Sequence, residues 1–167
     1  MKNKNFIKQR PSGMNMEEFE RLMSYPVRKG GTFAKVQLCA LLMCKGGLRY
    51  QEVQEIPMEQ LLSGEIRITN PLTHKKIEQH MPEVKAFMVE NGIEGMPSEK
   101  IFANLNHVSM NNQLRQLCKD CFIESPFMLN TLRRFHRIHF VKNASANPIA
   151  EILGHSSFSQ TEKYMNQ

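Results

Sequence analysis

The chain has 167 residues, of which 41% are hydrophobic, and this length suits one domain with a single hydrophobic core. Its formal net charge of +6 favours an anionic partner such as nucleic acid, although basic proteins of other classes carry a similar charge. No signal-peptide pattern is present, and no apolar run reaches the roughly 20 residues that span a bilayer. We therefore expect a cytoplasmic protein without a membrane partner.

The N-terminal residues 1–14 are predicted to form a flexible basic arm. A Pro-Ser-Gly sequence at residues 11–13 interrupts regular secondary structure, and few apolar residues precede it. Such an arm can follow phosphates or remain a solvated tail. Residues 15–167 are expected to form one folded domain. The cationic side chains of the arm are Lys2, Lys4, Lys8 and Arg10.

Three helices are predicted in the first third of the chain. Asn15 can cap a helix that continues to Met23, and Thr32 can cap a second, strongly apolar helix. A glycine pair at 46–47 ends the second helix, since glycine readily adopts the left-handed conformation found after helices. A short third helix is predicted over residues 50–56.

A β-hairpin is predicted near the middle of the chain. Residues 66–69 and 76–80 alternate between apolar and polar side chains, and the turn begins at Asn70-Pro71. Beyond Pro82 the apolar spacing is helical again. The predicted fold class is therefore mainly α with a small antiparallel β-hairpin. The later helices are predicted over residues 83–90, 109–122, 129–142 and 148–153, with a short last segment that carries Tyr164.

The four cysteines allow two interpretations. Cys118 and Cys121 have a spacing found in zinc and redox sites. All four thiols, however, lie in segments with helical apolar periodicity, including Cys39 and Cys44 in the apolar second helix. We expect reduced thiols that pack as small hydrophobic side chains, and no metal site.

The residues that carry chemistry are two arginines, a histidine and a late tyrosine. His155 lies in a Leu-Gly-His-Ser-Ser sequence, and Tyr164 follows it by nine positions. Arg133 lies one predicted helix upstream, and Arg49 lies far earlier in the chain. A tyrosine can attack a phosphodiester and hold it covalently when cationic donors stabilise the charge on the phosphoryl oxygens. The pattern predicts DNA strand cleavage and rejoining.

These segments, in this order, resemble the catalytic domain of the tyrosine recombinases, also called the phage integrase family. The resemblance extends from about Asn15 to the last residue. The Gly-x-Arg-x-x-Glu element of the family matches residues 47–52, and its His-x-Leu-Arg helix matches residues 130–133. Its Leu-Gly-His-Ser-Ser sequence and later tyrosine match His155 and Tyr164. The resemblance implies the DNA breaking-rejoining fold of the family.

The resemblance also implies roles for these residues. Arg49 and Arg133 would clamp the scissile phosphate, because guanidinium groups match pairs of phosphate oxygens and stay charged. Glu52 lies one helical turn after Arg49 and would hold its side chain. His155 would donate a hydrogen bond to the phosphate or assist proton transfer. Tyr164 would be the nucleophile, forming a 3′-phosphotyrosyl bond and releasing a 5′-hydroxyl, so that no cofactor and no metal are expected.

Two positions depart from the pattern of the family. Asn130 stands where the family usually has histidine, and an amide donates a hydrogen bond but does not transfer a proton at neutral pH. We expect this change to reduce activity without abolishing it. In the family a lysine at the turn of the hairpin protonates the leaving 5′-oxygen, and the resemblance implies Lys75 for this role, with Lys76 as the alternative. Matching the strands by their apolar residues instead places this position nearer Leu72.

We expect the protein to be an enzyme, namely a site-specific DNA recombinase. Its DNA would belong to a mobile element, to a phage or to an invertible segment. It would act on double-stranded DNA as a homo-oligomer, a tetramer on two sites, or with a partner recombinase, and would be nucleoid-associated. We expect residues 15–167 to form the catalytic domain without an N-terminal core-binding domain, as in small members similar to fimbrial-switch recombinases.

Two other functions stay open. One is a catalytically degenerate recombinase-like protein that binds DNA or regulates a full-length recombinase, and Asn130 and the alternative positions of the hairpin lysine favour it. Specific DNA binding without a covalent adduct would identify this function. The other is a type IB topoisomerase, which would relax supercoiled DNA without pairing two sites.

Overall fold

The computed structural model describes residues 13–123 and 127–141. The predicted fold class, mainly α with one small antiparallel sheet, is confirmed. The elements follow the chain as α1 (Met16–Ser24), α2 (Thr32–Gly46), α3 (Tyr50–Gln54), α4 (Met58–Ser63), β1 (Glu65–Thr69), β2 (Lys76–His80), α5 (Pro82–Asn91), α6 (His107–Asp120) and α7 (Leu129–His136), which continues as a π-helical turn, Arg137–Val141.

Local capping determines where α1 and α2 begin. The side chain of Asn15 accepts a hydrogen bond from the backbone N–H of Glu18 at 2.8 Å, so its predicted role as a helix cap is confirmed. The prediction that Thr32 caps α2 is wrong. Thr32 is the first helical residue, and the extended residue Gly31 precedes it without a side-chain cap. Gly47 ends α2 as predicted, with a positive φ of 64°.

Helix α4 was absent from the sequence-based prediction. It has six residues, and only Met58 and Leu61 are buried, so the apolar pattern covers too little of a period to identify a helix. Pro57 precedes it, and Gly64 ends it in the left-handed conformation.

Helix α6 begins two residues earlier than predicted, because the Asn106 side chain accepts a hydrogen bond from the N–H of Ser109 at 2.8 Å.

Helix α2 forms the centre of the core. All residues from 36 to 44 are buried, and the helix packs against α7 and α6, with α1, α3 and α5 around it. Its one buried amide, Gln37, donates hydrogen bonds of 2.9 Å to the carbonyl oxygens of Leu22 and Tyr25. Burial of this polar side chain is therefore compensated.

The four cysteines are free and buried, as expected for small hydrophobic side chains. Burial raises the pKa of Cys118 to about 12 and that of Cys121 to about 11. Burial also raises the pKa of Cys39 and of Cys44. These thiols are protonated near neutral pH.

The predicted hairpin is present, and its strands pair with Ile68 opposite Ile77. The Asn70 side chain organises the turn by accepting hydrogen bonds from the N–H groups of Leu72 and Thr73, at 2.8 and 2.9 Å. At the outer edge of β1, the Gln60 amide accepts from and donates to the backbone of Arg67, both at 2.9 Å. This contact attaches the hairpin to α4.

The final helix follows the prediction as far as Val141. Residues 1–12 of the predicted arm, the helix over residues 148–153 and the segment that carries Tyr164 lie outside the described residues. Met14, at the end of the predicted arm, is buried in the core. No helix in the described part of the chain is long and apolar enough to cross a membrane.

Candidate active site

Three of the residues predicted for the active site line one cleft. Arg49, Asn130 and Arg133 surround a volume of about 520 Å³. The walls come from the end of α2, from α3, from the start of α6 and from α7. The cleft is therefore built from segments that are distant in the sequence.

The sequence around Arg49 explains how this side chain reaches the cleft. Gly47 ends α2 with its positive φ, and Leu48 is fully buried, which fixes the short connection against the core. Arg49 follows in an extended conformation as the N-cap of α3. Its side chain retains 27% exposure, so the guanidinium group is accessible from the cleft.

Glu52 forms an ion pair with Arg49 that orients the Arg49 side chain. Its Oε1 lies 3.4 Å from Nη1 of Arg49 and accepts a hydrogen bond from the Arg49 backbone N–H at 3.2 Å. The Glu52 side chain is only 1% exposed. Its other oxygen, Oε2, is buried and has no hydrogen-bond partner among the described residues.

Burial raises the pKa of Glu52 above its ordinary range, because a carboxylate loses hydration in the protein interior. The N–H group and the charge of Arg49, together with the charge of Arg133, act in the opposite direction. Glu52 is thus the acidic group that links electrostatically to both arginines of the cleft.

Arg133 enters the cleft from α7 and is oriented by the end of α2. Its Nε donates a hydrogen bond to the carbonyl oxygen of Gly47 at 3.1 Å, across 86 positions of sequence. That contact uses one edge of the guanidinium group. Both arginines are consequently fixed against the single segment 47–52.

Asn130 is exposed in the first turn of α7, three residues before Arg133. This spacing is close to one helical turn, so both side chains project from the same face. The structure therefore places an amide at the position for which the resemblance implied an imidazole.

The two candidate lysines of the hairpin lie outside the cleft. Lys75 is exposed in the turn, and Lys76 is exposed at the start of β2, opposite Thr69. Neither lines the cleft, and neither does Leu72, which is exposed. The catalytic assignment of Lys75 stays a prediction. His155 and Tyr164 lie outside the described residues, so their predicted roles also stay predictions.

Sequence reasoning missed His107, which lines the cleft at the first position of α6. Its ring packs on Tyr50, with 6.0 Å between ring centroids and 21° between planes. The Tyr50 hydroxyl donates a hydrogen bond to the Leu105 carbonyl oxygen at 2.6 Å, and Gln54 donates to the same oxygen at 3.0 Å. Only the Asn106 cap marks this region in the sequence.

His136 lies next to this site without lining it. Burial, followed by the charge of Arg133, lowers the pKa of His136 to about 4. The imidazole is therefore neutral near neutral pH. Its ring packs on Phe140, with 5.9 Å between ring centroids.

Comparisons with known proteins identify the family and the fold. The model of the phage integrase family matches residues 13–167. No curated protein is significantly similar to the chain.

Solved structures show the same fold at low sequence identity. The structure of XerA recombinase has a TM-score of 0.70 and 15% identity, and the match covers 96% of this chain and 61% of that one. XerH site-specific recombinase bound to difH substrate, in a pre-cleavage complex, gives a TM-score of 0.64 and 18% identity over 94% of this chain and 51% of that one. A lambda integrase dimer bound to a COC′ core site gives a TM-score of 0.66 and 15% identity, and the match covers 93% of this chain and 48% of that one. The chain thus spans about half to three fifths of the length of these proteins.

Proposed function

This chain belongs to the phage integrase family, and from that premise we propose that it is a site-specific DNA recombinase. It cleaves and rejoins DNA through a 3′-phosphotyrosyl intermediate formed by Tyr164. Arg49 and Arg133 bind the scissile phosphate, and His155 donates a hydrogen bond to it or assists the proton transfer of Tyr164. Lys75, or else Lys76, protonates the leaving 5′-oxygen.

The observation that carries the proposal is the convergence of two guanidinium groups on one cleft. Arg49 is held by Glu52, and Arg133 is held by the carbonyl oxygen of Gly47, so both donors are oriented before a substrate arrives. Preoriented cationic donors stabilise the charge that develops on phosphoryl oxygens during transfer. Such a cleft suits a phosphodiester better than a neutral ligand.

Double-stranded DNA is the proposed partner. The XerH structure contains its difH substrate, and the lambda integrase structure is a dimer on a core site. By analogy, we expect this chain to act on DNA as a homo-oligomer, a tetramer on two sites, or with a partner recombinase, in association with the nucleoid. Its net charge of +6 favours contacts to the DNA backbone.

A second function is favoured by two observations on the site. Asn130 offers no proton transfer, and Lys75 does not line the cleft that the arginines share. A chain with these features can still bind DNA or a full-length recombinase without cutting. The alternative is a regulatory protein of recombinase-like fold.

Covalent trapping tests both functions. Nicked oligonucleotides tiled across the DNA that flanks the gene are incubated with wild type, Tyr164→Phe and Tyr25→Phe, and adducts are separated on a denaturing gel. Tyr25 follows α1 and does not line the cleft, so its variant is a matched control. An adduct that only Tyr164→Phe loses supports the recombinase. DNA binding without any adduct selects the regulatory protein.

A further inference from the structure

His107 is the one histidine of the described residues that lines the cleft shared by Arg49 and Arg133. It lies at the start of α6, whereas the two arginines come from α3 and α7. Its side chain is exposed, so the imidazole is accessible to a substrate. The cleft therefore combines an imidazole with two guanidinium groups.

The ring of His107 has a defined support. It packs on the ring of Tyr50, and the Tyr50 hydroxyl is fixed by its 2.6 Å hydrogen bond to the carbonyl oxygen of Leu105. Gln54 donates to the same oxygen at 3.0 Å, which attaches the chain before α6 to α3 a second time. Tyr50 follows Arg49 directly, so the start of α3 positions both Arg49 and the ring on which His107 packs.

The other described histidines have different surroundings. His80 pairs with Glu65 on the hairpin, and His74 lies in the hairpin turn. His136 is buried, and the ring of His139 packs on Phe135 at 4.3 Å between centroids. These four side chains do not line the cleft.

We propose that His107 is a further catalytic residue, whose imidazole donates an N–H hydrogen bond to a non-bridging oxygen of the scissile phosphate. The inference rests on the proposed recombinase function. An imidazole has an N–H donor in both protonation states, and it can also transfer a proton, which an amide does not do at neutral pH. His107 thus supplies from α6 a group that Asn130 does not supply from α7.

The test uses the full chain and a nicked DNA substrate that traps the covalent intermediate. His107→Phe keeps a ring for packing on Tyr50 but removes the N–H donor, and His80→Phe is the matched control outside the cleft. We expect His107→Phe to lower the single-turnover cleavage rate by about 10²-fold, as loss of one transition-state hydrogen-bond donor typically does, while DNA binding is retained. His80→Phe should cleave at the wild-type rate.

A second variant separates loss of the donor from damage to the fold. In the His107→Phe background, Asn130→His returns an imidazole to the same cleft from α7, and we expect it to raise the rate by a larger factor than Asn130→His does in the wild-type background. A defect in the packing of α6 would leave that factor the same in both backgrounds. Equal factors would therefore count against His107 as a phosphate donor.

The outcomes distinguish the two proposals. If wild type forms the adduct and His107→Phe forms it equally fast, the role of His107 is refuted and the recombinase function stands. If wild type forms no adduct on any nicked substrate, the recombinase function fails, and the role of His107 fails with it.

Discussion

Arg133 donates a hydrogen bond from Nε to the carbonyl oxygen of Gly47, and this contact joins the end of α2 to α7, from which Arg133 lines the cleft. Glu52 binds Arg49 only a few residues further along the same segment. The two arginines are therefore positioned relative to each other by one short piece of backbone. A displacement of this piece would move both phosphate donors together.

Arg133→Lys should lower the rate of strand cleavage by about 10²–10³-fold. Lysine keeps the positive charge but lacks the planar group that can donate to Gly47 and to a phosphate simultaneously. Arg134→Lys, at the exposed neighbouring position, is the matched control and should leave the rate unchanged. Single-turnover cleavage of a nicked substrate measures both. Equal rates for Arg133→Lys and wild type would contradict the role of the Gly47 contact.

Glu52→Gln should change how stability depends on pH. The raised pKa of Glu52 means that the folded state binds its proton more tightly than the unfolded state does. The contribution of this group to folding stability is therefore greatest at low pH, and it falls as pH rises from the ordinary range of glutamate through the raised pKa. Glutamine removes this dependence.

The free energy of unfolding, measured by chemical denaturation across this pH range, provides the check. The difference between Glu52→Gln and wild type should shift in favour of the variant as pH rises. Glu59→Gln is a suitable control, because Glu59 is exposed on α4. A pH-independent difference between Glu52→Gln and wild type would refute the prediction.

Gly64→Ala should destabilise the protein more than Gly47→Ala. Both glycines have positive φ values, 74° and 64°, so alanine is strained by about 1–2 kcal/mol at either position. A Cβ atom at position 64 would also lie 2.6 Å from the carbonyl oxygen of Met81. Chemical denaturation should rank the variants in this order, and the opposite order would contradict the predicted clash.

Arg49→Ala should weaken DNA binding and make it less dependent on salt. If Arg49 neutralises one phosphate, its loss lowers the slope of log affinity against log salt by about 1. Arg21→Ala is the control, because Arg21 pairs with Glu17 at 3.0 Å and does not line the cleft. Titrations at several salt concentrations give the slopes. An unchanged slope for Arg49→Ala would show that Arg49 does not neutralise a phosphate.

The local sequence predicted most of the elements because their signals lie within a few residues. The Asn15 cap, the glycine after α2 and the alternation in the hairpin each depend on neighbouring side chains and on the allowed backbone angles. The spacing of Asn130 and Arg133 on one helix face could be read in the same way. Helix α4 could not, since two buried residues do not establish a period.

The sequence by itself determined the family, the mainly helical fold with its hairpin and the residue types offered for chemistry. Only the tertiary structure decided which side chains meet. The packing of α2 against α7 brings Arg133 to Gly47 across 86 positions, and the contact of Leu105 with Tyr50 brings His107 into the cleft. Lys75 does not reach that cleft. Local patterns encode the period and the caps of a helix, whereas contacts between residues distant in the sequence depend on how apolar surfaces pack together.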